Sequence, residues 1–113
     1  HCAITNNAVS EGIGKAITIH GTHDARIENN VVWNAKGVGI YVEDGNELNN
    51  TIARNVVSCE TVAYCHLQAP DGSADQGIGM YVWSADNSFI ENRVSQYYLT
   101  IFLPSSGLGQ GIA

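Results

Sequence analysis

The stretch Glu43-Asp44-Gly45-Asn46-Glu47 is the densest group of acidic residues in the sequence. Two histidines, His20 and His23, stand about one repeat earlier in the chain. If the repeat register described below holds, His20 lies one coil from Glu43, and His23 lies near the acidic stretch. Carboxylates and imidazoles at this spacing could bind a cation or exchange protons with a substrate.

Two kinds of chemistry fit this acidic group. Closely spaced carboxylates supply the oxygen ligands that Ca²⁺ prefers, and the candidate ligands are Asp24, Glu43, Asp44 and Glu47. Neighbouring acids can also have different pKa values, so that one donates and another accepts a proton in glycoside cleavage. The candidate catalytic residues are Glu43, Asp44, Glu47 and His20.

A third interpretation needs no ligand. Asp44-Gly45-Asn46 consists of residue types that favour a tight turn. Glu43 and Glu47 would then be solvated side chains on either side of it. We prefer this turn over a calcium site, and a calcium site over catalysis.

Composition excludes several classes of protein. The 113 residues form at most one domain, and 44% are apolar, which is too many for a disordered chain. No apolar run reaches the length of about 18 residues that a membrane span requires. A net charge of −6 argues against nucleic acid or an anionic membrane as partner. Only 14% of the residues are charged, so we expect part of the surface to be covered.

An internal repeat determines the predicted fold. The segments AITNNAV, RIENNVV, TIARNVV and SFIENRV share one template: apolar, two variable residues, Asn, any residue, Val. Aligning them gives three columns of like residues. These columns are Ile4, Ile27, Ile52 and Phe89; Asn7, Asn30, Asn55 and Asn92; and Val9, Val32, Val57 and Val94.

A second strand repeats in the same register, as KAITIH, VGIYVE, IGMYVW and LTIFLP. Its inward column is Ile17, Ile40, Met80 and Ile101. Stacked like residues and a period near 23 predict an all-β fold, a right-handed parallel β-helix of about four coils. The coils lie near 2–24, 25–49, 50–86 with an insertion at 59–75, and 87–113. We expect residues 1–113 to be a fragment of a longer β-helix.

The ends of such a solenoid are open sheet edges, which recruit partners. We therefore expect flanking β-helix coils or other protein chains as partners, including polymeric assembly into a filament. The asparagine column has a structural reason, because Asn tolerates a left-handed corner and stacked amides can bond from coil to coil.

Outward-facing aromatic residues indicate a second surface. Tyr41, Tyr81 and Phe102 form one column, and Trp83 lies beside it. A flat aromatic strip is suited to stacking on sugar rings of a polysaccharide, and equally to burial under a neighbouring chain.

Two covalent modifications are predicted. Cys59 and Cys65 bracket a short loop that a disulfide could close, which leaves Cys2 free or paired outside the segment. Three reduced, buried thiols are the alternative. Asn49-Asn50-Thr51 is the only N-glycosylation sequon, with Asn49 as the acceptor.

The sequence resembles the β-helix region of fibrocystin-like proteins and of the cell-migration-inducing and transmembrane hyaluronidases. The resemblance is carried by Ile19-His20-Gly21-Thr22, Asn30-Val31, Gly37, Glu43-Asp44-Gly45-Asn46-Glu47 and Asn50, and continues in YVWSADNSFIENRV. One difference is Val38, where family members often have His.

The resemblance implies a large extracellular or cell-surface protein, in some relatives one that degrades hyaluronan. It carries no catalytic residue over to this sequence. The expected function is therefore that of a scaffold segment with a structural, assembly or glycan-contacting role. Part of a polysaccharide-degrading enzyme, hyaluronidase-like or lyase-like, is the alternative. Ca²⁺ is the one cofactor that the residues suggest.

Overall fold

The computed structural model describes residues 2–42, 47–66, 77–82 and 86–102. Strands dominate this part of the chain, and the one helical turn in it is α1 (Val62–Cys65). In chain order the strands are β1 (Ala3–Thr5), β2 (Ala8–Ser10), β3 (Ile13–Ile19), β4 (Arg26–Glu28), β5 (Val31–Trp33), β6 (Lys36–Val42), β7 (Thr51–Ala53), β8 (Val56–Ser58), β9 (Ile78–Val82), β10 (Ser88–Ile90), β11 (Arg93–Ser95) and β12 (Leu99–Phe102).

Within the described residues these strands form three parallel sheets of four. Their orders are β1-β4-β7-β10, β2-β5-β8-β11 and β3-β6-β9-β12. Each sheet takes one strand from each of four successive coils, which we call the first (β1–β3), second (β4–β6), third (β7–β9) and fourth (β10–β12) coil. The predicted all-β, parallel β-helix fold is confirmed.

The strand register follows the columns of like residues. Ile4 pairs with Ile27, Val9 with Val32, and Ile17 with Ile40. The columns continue through the later coils to Phe89, Val94 and Ile101. A slip by one residue would turn the whole buried set outward, so apolar burial fixes this register.

The core is the interior of the three sheets. In the second and third coils its residues are 0% or 1% exposed: Ile27, Val32, Ile40, Ile52, Val57 and Met80. The predicted inward residue Ile101 is 38% exposed. It differs because β12 is an edge strand, with no described strand beyond it to complete its burial.

The corner between the first two sheets has a left-handed backbone, but not at the residues predicted. The positive φ angles, 53° to 58°, belong to Asn6, Asn29, Arg54 and Glu91. Each of these directly precedes a residue of the asparagine column. The prediction that the column itself occupies the left-handed position is therefore wrong, and its asparagines are explained by their hydrogen bonds.

Two glycines allow adjacent coils to approach closely. Gly37 has φ +98° and lies against Gly14, and a Cβ at Gly37 would clash with the carbonyl oxygen of Gly14. A Cβ on Gly39 would meet Val57 and the carbonyl oxygen of Gly79. Larger residues at either position would push the strands apart.

None of the helices in the described part of the chain is long and apolar enough to cross a membrane.

Candidate functional site

Glu47, the last residue of the acidic stretch, is a buried carboxylate. It is 0% exposed, and its Oε1 accepts a hydrogen bond from the Gly21 backbone N–H at 2.9 Å. The expectation that Glu47 is solvated is wrong, because this bond draws the side chain inward and joins the first coil to the second. A side chain with no exposed surface also cannot contact a substrate in this conformation.

His23 and Asp24 lie beside the residues that follow Glu47. The Leu48 N–H donates to His23 Nδ1 at 3.1 Å, and the Asn49 side-chain amide donates to Asp24 Oδ1. These contacts hold one corner of the first coil to the equivalent corner of the second. His20 is exposed and directly precedes Gly21.

The other two predicted acids, Glu43 and Asp44, lie outside the described residues. Among the residues that the structure does describe, no three His, Cys, Asp or Glu side chains are grouped to hold a metal ion. The four-carboxylate calcium site and the catalytic set therefore stay predictions.

The outward aromatic residues are partly described. Tyr41 and Tyr81 are half-buried neighbours on β6 and β9, with ring centroids 4.9 Å apart and planes inclined at 69°. The flat strip expected from the sequence is not what these two rings form, since an edge of one meets the face of the other. Lys15 Nζ lies 4.7 Å from the centroid of Tyr41, and burial raises the pKa of Tyr81.

Phe102 and Trp83 are the other two residues of the predicted aromatic surface. The backbone of Phe102 pairs with Tyr81, which extends the column to the fourth coil. Trp83 lies outside the described residues.

The asparagine column is a continuous hydrogen-bonded ladder, which we call the main ladder. In each step, the backbone N–H and the side-chain amide of one asparagine donate to Oδ1 of the asparagine in the next coil. These bonds measure 2.9 to 3.3 Å and run from Asn7 through Asn30 and Asn55 to Asn92.

Sequence reasoning missed a second, shorter ladder. The Ala25 N–H donates to Asn50 Oδ1, and the Asn50 N–H donates to Asn87 Oδ1, each at 2.9 Å. Both asparagines stand five residues before a member of the main ladder. This repeated five-residue spacing between asparagines is the sequence signal for the second ladder.

Polar side chains that the sequence did not single out surround Asn34. Its side-chain amide donates to Glu11 and Glu60, and its Oδ1 accepts from the Glu60 N–H at 2.8 Å. The Tyr64 hydroxyl donates to Glu11 Oε2 at 2.8 Å. The hydrogen bonds from Asn34 and then Tyr64 hold the pKa of Glu11 below its usual value, and the bond to Glu11 raises the pKa of Tyr64.

One pair of arginines neutralises a largely buried acid. Glu28 contacts Arg26 at 3.1 Å and Arg54 at 2.7 Å. Arg54 also lies 3.6 Å from Glu91. These ion pairs connect three coils along one corner of the solenoid.

The predicted disulfide is present. Cys59 and Cys65 are bonded with a Cα–Cα distance of 6.3 Å, whereas Cys2 is a free, exposed thiol. The bond fixes α1 to the end of β8 at the start of the predicted insertion. The sequon residue Asn49 is exposed, as a glycosylated side chain must be.

Comparison with known proteins places the chain in a family. The CEMIP beta-helix family model matches residues 1–101. A G8 domain-containing protein of Dictyostelium discoideum is 31% identical over 101 residues, which cover 88% of this chain and 6% of that protein. Communication mutant protein F of the same organism is 32% identical over 101 residues, covering 88% of this chain and 8% of that protein.

A vertebrate relative matches a smaller part of this chain. Fibrocystin-L of Mus musculus is 37% identical over 49 residues, covering 43% of this chain and 1% of that protein. The chain thus spans less than a tenth of the length of these relatives. No solved structure matches it significantly. The match of the family model over nearly the whole chain, together with the parallel β-helix fold, shows that the chain belongs to the CEMIP beta-helix family.

Proposed function

We propose that this chain is a scaffold segment of a large extracellular or cell-surface protein, on which further β-helix coils or other protein chains stack. The observation that carries the proposal is the change of burial along one column. Val32 and Val57, in the middle coils, are 0% exposed, whereas Val9 and Val94, at the same position in the outer coils, are only half-buried.

Completing this burial is energetically favourable. Each half-buried aliphatic side chain that becomes fully buried contributes about 1 kcal/mol to the stacking free energy, in proportion to the apolar area removed from water. The outer strands also have one edge without a described neighbour, and unpaired strand edges are sites of strand addition. A stacked coil would bury the outer side chains of the apolar columns, and it would pair with the open backbone edges of the outer strands.

The disulfide supports an extracellular location. Bonds such as Cys59–Cys65 persist in oxidising compartments and are rare in the cytosol. Fibrocystin-L, a relative by sequence, is also much longer than this chain, in keeping with a role as one segment among many.

Hydrogen–deuterium exchange tests the scaffold role. The amides of the edge strand β2 (Ala8–Ser10) should exchange at least about tenfold more slowly in the full-length parent protein than in the isolated chain. The central strand β5 (Val31–Trp33) is the matched control and should be protected in both. Equal exchange of β2 in the two samples would contradict the proposal.

Contact with a glycan is a second candidate function, favoured by Tyr41 and Tyr81 with Lys15 beside them. A cation next to half-buried aromatic rings suits an acidic polysaccharide. Tyrosine fluorescence should change on titration with hyaluronan oligosaccharides, but not with a neutral glucan oligosaccharide. The response should be lost in Tyr41→Ala and kept in Tyr98→Ala, which alters an exposed tyrosine elsewhere. A response to both sugars, or to neither, would contradict it.

A polysaccharide-degrading enzyme is the weaker alternative. Glu47, one of its candidate residues, is fully buried. The test is turnover of hyaluronan by the parent protein, with a Glu43→Gln and Asp44→Asn variant as the comparison.

A further inference from the structure

We propose that the outer face of the second sheet, β2-β5-β8-β11, is a docking surface for an extended peptide segment of a partner protein, with the pattern apolar-x-apolar-x-acidic. We call this surface the lateral face; it comprises Val31, Trp33, Arg54, Val56 and Arg93. Its role is separate from the scaffold role, because stacked coils use the ends of the solenoid, whereas the lateral face lies along its side.

The strand geometry points the apolar members of this face away from the core. In each three-residue strand of the inner coils the middle residue is fully buried, as Val32 is in β5 and Val57 in β8. Side chains alternate along a strand, so Val31 and Trp33 lie on the outer side of β5. Val56 lies beside Val31 on β8. The three side chains therefore form one contiguous apolar patch.

This apolar patch is exposed although its strands lie inside the sheet. Val31 is 47% exposed, Trp33 41% and Val56 40%. Both β5 and β8 have a described strand on each side, so the exposure does not arise from an end of the solenoid. In the described part of the chain, the other strongly exposed large apolar residues lie on the edge strands β3 and β12, on α1 or outside the strands. A contiguous apolar patch rimmed by polar residues is typical of an interaction site.

Two arginines border the apolar patch. Arg93 pairs in register with Val56, and Arg54 precedes Val56 by two residues at the corner. Together with Glu91 these residues help to line a cavity of about 480 Å³. The lining carries two arginines and one acid, in a chain whose net charge is −6. This border of the patch therefore attracts an acidic group, and guanidinium groups bind carboxylates in a well-matched planar geometry.

The size and chemistry of the lateral face favour a peptide as its occupant. Interfaces between folded domains bury about 600 to about 1,500 Å², and three half-exposed side chains cover only a fraction of that area. Valine offers no hydrogen-bonding group to a sugar hydroxyl, so Val31 and Val56 suit aliphatic side chains better than a glycan. A second copy that docked through the same face would bring the same arginines and place like charges together.

The spacing across the lateral face defines the pattern of the peptide. Trp33 and Arg93 are two strands apart and two residues apart along the strand direction, a diagonal of about 12 Å. In an extended peptide, residues i and i+4 lie on one side and about 13 Å apart. An apolar residue i on Trp33 therefore places residue i+2 beside Val56 and an acidic residue i+4 at Arg93.

A nuclear magnetic resonance titration of the isotope-labelled chain tests the docking. The probe is a synthetic peptide, acetyl-Leu-Ser-Leu-Ser-Glu-amide. It should shift the indole N–H resonance of Trp33 and the amide resonances of β5 and β8, while those of β4 in the neighbouring sheet stay in place. The control peptide acetyl-Leu-Ser-Leu-Glu-Ser-amide has the same composition but carries its acid on the opposite side. It should bind about fivefold more weakly, the effect of one exposed ion pair.

Variants of the lateral face separate its apolar and charged parts. Trp33→Ser should abolish the shifts of the β5 and β8 amides, because the largest apolar contact is lost. Arg93→Gln should weaken binding of the first peptide about fivefold and leave binding of the control peptide unchanged. Arg26→Gln, which alters an exposed arginine of the first sheet, is the matched control and should change neither.

Three results would overturn the inference. Equal binding of the two peptides, or binding of neither, would show that the face does not select an acidic peptide. Shifts of Trp33 with hyaluronan oligosaccharides but not with the first peptide would show that the face binds a glycan. Shifts of Trp33 that depend on the concentration of the chain alone would show that a second copy occupies it.

Discussion

Asn30 donates both its backbone N–H and its side-chain amide to Oδ1 of Asn55, each at 3.0 Å. Both residues are 0% exposed. A single side-chain oxygen thus satisfies two buried donors of the neighbouring coil, and the arrangement repeats at each step of the main ladder.

Replacing Asn55 by Leu should destabilise the chain by about 3 kcal/mol, because two donors of Asn30 would be left buried without their acceptor. Urea unfolding followed by circular dichroism measures the change. Asn29→Gly is the matched control, since Asn29 is exposed with φ 58°, which glycine adopts freely. A loss below about 1 kcal/mol in Asn55→Leu would contradict a structural role for the ladder.

Replacing Glu47 by Ala should cost about 2 kcal/mol, because the Gly21 N–H would lose its carboxylate acceptor. Glu91→Asn, at an exposed corner, should change the free energy of unfolding by no more than about 0.5 kcal/mol. Thermal unfolding of the two variants at neutral pH gives the comparison. If the two variants unfold at similar temperatures, the buried hydrogen bond contributes nothing measurable to stability.

Calcium should leave the melting temperature unchanged if the acidic stretch is only a turn. A bound cation would instead relieve repulsion among the carboxylates and raise the melting temperature. Differential scanning calorimetry with and without Ca²⁺ distinguishes the two. A rise that disappears in the Glu43→Gln, Glu47→Gln variant would show that the calcium site, ranked second, is correct.

Removing the disulfide by Cys59→Ser with Cys65→Ser should destabilise the chain by about 2 kcal/mol, as expected for a loop of this length. Urea unfolding of the double variant, with Cys2→Ser as the control, measures the change in the free energy of unfolding. Cys2 is free, so its substitution should have little effect. A double variant as stable as the control would contradict a stabilising role for the bond.

Alkaline pH should weaken the fold through Tyr97. Burial raises the pKa of Tyr97 to about 12, and its hydroxyl donates to Ala35 O at 2.9 Å. A pKa raised in the folded state means that the stabilisation is complete below the unfolded value of about 10 and is lost as the pH rises toward 12. The loss is on the order of 2 kcal/mol.

Thermal unfolding between about pH 9 and about pH 12 tests this titration. A Cys2→Ser background prevents thiol exchange at high pH. The stability of the Tyr97→Phe variant should fall less steeply over this range than that of the parent. If the stability of the two proteins falls equally steeply with pH, groups other than Tyr97 cause the loss of stability at alkaline pH.

The sequence by itself determined the architecture and the register. Four copies of one template place Ile4, Ile27 and Ile52 in one column, and burying like residues together admits only parallel stacking in that register. The disulfide could also be predicted, because six residues are enough to close a loop between Cys59 and Cys65. Such features depend on local spacing and on the periodic burial of apolar residues.

The tertiary structure alone decided what several polar residues outside the asparagine column do. Glu47 follows a turn sequence typical of solvated acids, yet Gly21, 26 residues earlier, provides an N–H that draws it into the interior. The inclination of Tyr41 to Tyr81 likewise depends on packing between two coils. Hydrogen bonds and ring contacts of this kind join residues far apart in the chain, and their geometry depends on how adjacent coils rest on each other, which no local pattern specifies.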